Sequence, residues 1–186
     1  FTYTTPINYP EGELSGWEFE IRQKMERFWD RLEGLSIGAN ATIIDSEVTL
    51  PEDEIDKLNQ PNIMAPMTTR HMTNAPEHLY NLFLTYDIDD KTQFGLFYTV
   101  RGDTLIAGAG QANGRYISNV YETEYGTLNL SLSRKLSENG TLKFQAKNLL
   151  DPKIDSVYRS RYIGGDVTKS SYRKGMEFSL SYSQRF

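Results

Sequence analysis

Two histidines, no cysteine and a scatter of carboxylates are what this 186-residue chain offers for covalent or metal chemistry. His71 and His78 stand seven positions apart, two helical turns and about 10 Å, out of register for sharing one metal ion, and no thiolate can complete a zinc set. Any chain of this length contains a Ser, a His and an Asp, so their presence alone assigns no nucleophile; the residues give no catalytic constellation, and the chain reads as a non-enzyme. Gly108-Ala-Gly110 and Gly164-Gly165 lack the strand–loop–helix setting of a phosphate cradle and read as loop glycines. One stretch, Ile63 to Met72, gathers Met64, Met67, His71 and Met72. Thioether and imidazole suit copper or haem iron, but methionines packing a folded loop explain the stretch equally well, and no metal or cofactor is assigned.

Non-covalent recognition has better material. Arg101, Arg115, Arg159 and Arg161 lie near Tyr116, Tyr121, Tyr125, Tyr158 and Tyr162 in sequence, and Lys169, Arg173 and Lys174 follow. Guanidinium forks bind carboxylates and other anions bidentately, and phenol rings beside them offer stacking faces and hydroxyls. The expected ligand-binding residues are Arg101, Arg115, Tyr116, Tyr158, Arg159, Arg161 and Tyr162. The run Asp45, Glu47, Glu52, Asp53, Glu54, Asp56 is acidic; such a run holds a divalent ion less often than it forms a solvated surface.

The elements that carry these residues follow from composition and periodicity. Lys plus Arg number 20 and Asp plus Glu 25, a net charge of −5, which argues against a nucleic-acid partner. No run of 18 apolar residues exists, so no helix crosses a membrane. The mean hydropathy of −0.55 excludes nothing about strands, because barrel strands alternate lipid-facing and lumen-facing side chains and average to a polar value. Aromatic residues reach 12%, with 12 Tyr against 9 Phe and 2 Trp, the balance found where hydrocarbon meets water or in β-rich domains generally.

Period-two alternation recurs over Glu13–Lys24, Leu35–Ile43, His78–Asp87, Phe94–Asp103, Thr127–Leu136, Thr141–Leu150 and Gly175–Phe186. Each of these seven strands is roughly 10 residues long, enough to cross a hydrocarbon core at a tilt, whereas globular strands average about 5–6. Connections alternate between short turns and three long polar loops, Ser46–Glu77, Thr104–Gly126 and Asp151–Lys174. Compact soluble domains rarely contain several structureless loops of roughly 20 to 30 residues. Short turns on one rim and long loops on the other describe a transmembrane β-barrel. Asn139-Gly140 suits a type I′ turn, and Met25, Phe28, Trp29 and Leu32 fall on one helical face. Trp17, Phe28, Trp29, Tyr182 and Phe186 are the expected membrane-interface anchors, while Glu18, Glu20, Lys143 and Lys147 line the lumen. An odd strand count, with no initiator Met and no signal-like segment before Phe1, implies upstream strands, of which Phe1–Thr5 could be the stub.

Three pieces carry a resemblance. Leu142-Lys-Phe-Gln-Ala-Lys-Asn-Leu-Leu-Asp-Pro152, whose Lys-Asn-Leu-Leu-Asp-Pro piece is the specific part, followed after a long loop by Gly175–Phe186 with its alternating last strand and final Phe, resembles the C-terminus of TonB-dependent outer-membrane receptors; Gln184 departs from the apolar residue usual there. Gly12-Glu-Leu-Ser-Gly-Trp-Glu-Phe-Glu-Ile21 and Leu35–Glu47 are similar to two of that family's upstream strands. The resemblance implies an all-β, antiparallel segment of a barrel of about 22 strands, with periplasmic turns and extracellular loops. Residues 1–186 would supply about a third of the wall, and the plug domain would lie outside this chain. It implies residence in the bacterial outer membrane, contact with lipid, lipopolysaccharide, upstream strands and plug, and energy coupling through the TonB complex at a TonB box absent here. The implied activity is uptake of a scarce nutrient, a ferric siderophore or similar metal chelate first, by binding and gated passage. The rival expectations are a passive porin-like or small autonomous barrel, and a soluble β-sandwich binding module. The sandwich requires Trp17, Leu84, Leu130 and Phe178 to meet in a dry interior between two layers.

Overall fold

The computed structural model describes residues 8–58, 67–112, 115–160 and 164–185. All seven alternating segments are strands of one antiparallel sheet: β1 (Gly12–Lys24), β2 (Leu35–Thr49), β4 (His78–Asp89), β5 (Thr92–Arg101), β10 (Tyr125–Lys135), β11 (Gly140–Lys147) and β14 (Glu177–Gln184). They lie side by side in chain order, β1-β2-β4-β5-β10-β11-β14, and a short β3 (Thr69–Arg70) adds to the end of β2. The sheet is open, so β1 and β14 each keep one side without a neighbour among the described residues.

Register sorts the side chains cleanly. Ile37, Leu84, Leu96, Leu130, Ala146 and Phe178 stand opposite one another across six strands, and Leu35, Tyr86, Phe94, Leu132, Phe144 and Leu180 form the adjoining row. Trp17, Phe19 and Ile21 continue this apolar face on β1. Among the described residues nothing is layered over it: Trp17 is 72% exposed and Phe178 59%. The dry interior that a sandwich requires is absent there. The accessible surface of 13341 Å² fits this openness, since a compact 21.3 kDa chain would show roughly 9,000 Å².

The opposite face is polar. Glu20, Asn40, Asn81, Thr99 and Thr127 make one row, tied by Asn81 Nδ2 donating to Asn40 Oδ1 (2.7 Å) and Thr99 Oγ1 to Asn81 Oδ1 (2.7 Å). The next row is Arg22, Gly38, Phe83, Phe97 and Asn129. There the Phe83 ring lies directly on Gly38, where a Cβ would collide with it, and Arg22 sits 5.6 Å above that ring. Glu18, Glu20, Lys143 and Lys147 all belong to this face.

Two local expectations need correcting at the short-turn rim. Met25–Leu32 is not one helical face but two single turns of 3₁₀ helix, Met25–Arg27 and Asp30–Leu32. Trp29 between them is extended (φ −154°), which ends the first turn. Asn139-Gly140 is not the centre of a type I′ turn, since neither residue has positive φ. Residues 136–139 form a longer loop closed by Leu136 N–H to Gly140 O (2.9 Å). Gly140 leaves room for its neighbours: a Cβ there would stand 2.8 Å from Ser137 Oγ and Tyr182 Oη, which would have to shift.

The long loops are not structureless. Strands β6 (Thr104–Ala107) and β9 (Asn119–Glu122) from the second loop join β12 (Ile154–Arg159) and β13 (Val167–Tyr172) from the third in a four-stranded sheet, order β13-β12-β9-β6. Leu105, Tyr121 and Val157 form its small core. A hairpin of β7 (Gly110–Ala112) and β8 (Arg115–Ile117) projects from the second loop. The first loop holds α1 (Glu52–Leu58), whose Glu52, Asp53 and Glu54 occupy the helix's positive end.

Candidate ligand-capture surface

The long-loop rim is built on two buried or half-buried arginines. Arg159, at the end of β12, forms a fork with Asp166 (Nε–Oδ1 2.9 Å, Nη2–Oδ2 2.7 Å), reaches Asp103 Oδ2 at 2.7 Å and stacks 4.7 Å over the Tyr121 ring. The Asp166 hydrogen bonds, then those of Asp103, push the Arg159 guanidinium further up against the opposing effect of burial, and Arg159 holds the Asp166 carboxyl below its usual range. Burial pushes the Tyr121 phenol up. Arg70, from β3, bonds the Tyr9 hydroxyl, lies 5.1 Å over that ring, meets Glu54 at 3.9 Å and rests against the Gly108 backbone. Its side chain is only 9% exposed, and burial pulls its guanidinium down.

Two clefts open beside these clamps. One, about 450 Å³, is lined by Asp45, Glu47, Arg70, His71, Tyr116 and Arg159 among others. The second, about 380 Å³, lies on the polar face of the wall, lined by Arg101, Tyr125, Lys147, Lys174 and Glu177. Lys147 pairs with Glu177 (2.9 Å) and Arg101 with Glu122 (3.9 Å), whereas Lys174 stands 5.7 Å over the Tyr125 ring with no carboxylate partner among the described residues. A larger concavity of about 870 Å³ sits at the other rim, among turn residues of mixed charge such as Lys24, Asp30, Asp87, Asp90 and Lys91.

The expected ligand-binding residues are therefore divided. Arg101 lines the wall cleft; Tyr116 and Arg159 line the rim cleft. Arg115 is exposed on β8, and Tyr158 carries Lys169 5.7 Å above its ring. Arg161 and Tyr162 lie outside the described residues, as do Phe186, Met64 and Phe1–Thr5. Arg159 is saturated by protein carboxylates, so it is a clamp before it is a ligand fork. Arg70, which spacing did not single out, is its counterpart. Its only sequence signal is a cation inside a short Thr-Arg strand.

In the described part of the methionine stretch, Met67 packs. Met67 is buried with Leu50, Leu58 and Ala109, and His71 Nδ1 lies 3.0 Å from Ser46 O. Among the described residues no three His, Asp or Glu side chains gather as metal ligands. His78 pairs instead with Glu124 (2.8 Å) and stacks on Tyr80. The residues expected as anchors sort by rim. Trp17 stands toward the long-loop end of β1, while Phe28 and Trp29 (67% and 72% exposed) lie at the short turns and Tyr182 stands opposite Leu142 near that rim.

Lys147-Asn-Leu-Leu-Asp-Pro152 is a clasp. Asn148 (φ 57°) and Asp151 (φ 41°) turn the chain in the left-handed region. Asn148 N–H donates to Asn129 Oδ1 (2.9 Å), Asn148 Nδ2 to Gly175 O (2.7 Å) and Gly175 N–H to Asp151 Oδ1 (2.8 Å), fastening β10, β11 and the start of β14 at one point.

Comparison with known proteins agrees with this geometry. Residues 1–149 match the family described as TonB dependent receptor-like, beta-barrel. Searches of curated proteins and of solved structures gave no match. Residues beyond 149 continue the same wall through the β11–β14 pairing. With most of its length matched, its strands antiparallel in chain order and its two faces sorted into hydrocarbon and polar sides, the chain belongs to the TonB-dependent receptor β-barrel family, outer-membrane transport receptors of Gram-negative bacteria.

Proposed function

We propose that residues 1–186 form a C-terminal part of the barrel wall and three extracellular capture loops of a receptor that imports a ferric siderophore or similar anionic metal chelate. Transport by a receptor, in association with the outer membrane, a plug domain and TonB, follows from the family; the cargo is the proposal. The observation that carries it is the wall cleft. Arg101, Lys147 and Lys174 converge on the polar face below the loop sheet, and Lys174 is left with an aromatic face and no carboxylate among the described residues. Such a cation adds a local positive field on the path inward. Arg115 and Tyr116 on the β7–β8 hairpin, and Tyr158, extend the capture surface outward. No covalent step is required, because binding and gated passage suffice for uptake.

Uptake of ⁵⁵Fe-labelled ferric catecholate and ferric citrate by cells carrying the full-length receptor tests this. Accumulation that stops when the inner-membrane proton gradient is collapsed, and that falls several-fold in Lys174→Gln, is expected. Accumulation indifferent to the gradient would mark a passive channel. Energised uptake unaffected by both Lys174→Gln and Arg101→Gln would move the anion site elsewhere.

A further inference from the structure

We propose that the three outer loops form one preassembled body and that Arg159 is the positioning residue that seats the third loop on the second. The loop sheet alternates ownership: β6 and β9 belong to the second loop, β12 and β13 to the third, and the seam is the β9–β12 pairing of Val120 with Tyr158 and Tyr121 with Val157. Arg159 stands at that seam. From its own strand its guanidinium reaches three other segments at once: the root of the second loop at Asp103, the Tyr121 ring of β9, and Asp166 on the far side of its hairpin. Tyr172 Oη, 3.5 Å from Glu122, and Thr123 N–H on Asp155 O at 2.9 Å stitch the same two loops lower down.

Charge gives Arg159 a role that packing alone lacks. Asp103 and Asp166 both approach one nitrogen, Nη2, at 2.7 Å. Without the cation, two carboxylates from different loops face each other across that position, and like charges so placed push their carriers apart. The first loop joins the body through Arg70, which holds Glu54 and Tyr9 and lies on Gly108, and through Tyr116, which packs on the Leu50–Leu58–Met67–Ala109 cluster. A ligand contact at Arg115 or Tyr116 is therefore felt by the third loop without touching it. This holds whatever solute is carried.

Amide hydrogen exchange on the full-length receptor in micelles tests the seam. In Arg159→Met, the 154–159 and 167–172 amides should exchange at least about tenfold faster while 94–100 in the wall stay protected. Arg159→Lys should lie between. Adding Asp103→Asn to Arg159→Met removes the uncompensated repulsion and should return much of the protection. The proposal is overturned if Arg159→Met exchanges like the native receptor, if the wall loosens equally, or if the double variant is no better protected than Arg159→Met.

Discussion

At the scale of single residues, the face on which a side chain stands decides its worth. Leu84 belongs to the apolar row, so Leu84→Arg places a cation near the middle of the hydrocarbon and should cost about 2–4 kcal/mol of folding free energy in the full barrel. Ser131→Arg, one residue beyond Leu130 and on the polar face, should cost far less. Denaturant titration into bilayers or micelles compares the two, and equal costs would deny that lipid covers the apolar side. Gly38 makes a steric prediction. Its missing Cβ is where the Phe83 ring rests, so Gly38→Ala should destabilise by about 1–3 kcal/mol, and Phe83→Leu in the same chain should recover part of that. The residues sequence reading recovered least well were the arginines. Type and loop position made Arg159 an expected anion binder; that Asp166 and the sequence-distant Asp103 already occupy it depends on how the loops pair, as does the grip of Arg70 on Tyr9.

At the scale of elements, alternation identified every wall strand, because one side of each is apolar almost throughout and the other mainly polar, broken on β4 and β5 by Phe83 and Phe97. The loop sheet escaped for the same physical reason. Its strands are four to six residues long, and adjacent Val120 and Tyr121 are both buried, so no period of two marks them. The clasp at Asn148 is an element-level device with a measurable signature. Asn148→Ala loses the bond to Gly175 O and forces a Cβ residue without a local polar group into the left-handed region, which should cost about 2–3 kcal/mol; Asn148→Gly keeps the turn and should cost about 1 kcal/mol. Urea melts of the full receptor separate them. The β12–β13 hairpin carries a pH dependence whose sign is fixed. Arg159 lowers the Asp166 carboxyl below its ordinary value near 4, so the stabilisation is complete above that value and is lost as pH falls through the lower folded one. Protection factors of 167–172, corrected for intrinsic exchange, should hold from neutrality to about pH 5 and drop below about pH 4. A rise on acidification would contradict the pairing.

At the scale of the whole molecule, an open wall whose two edges and apolar side are left uncovered by the described residues cannot rest alone in water. Residues 1–186 produced by themselves should sediment as large or heterogeneous species without detergent, and a stable detergent-free monomer would overturn the open-wall description. The same sheet has another property, in that each long strand bonds only to those before and after it in the chain. A wall laid down in that order can grow by accretion, one β-hairpin at a time, each new pair templated by the edge just exposed. Its circumference is thus a matter of how many hairpins the gene encodes. Duplication or loss of a pair such as β4–β5 would alter the bore while leaving every remaining register, and the sorting of grease from water, as it was.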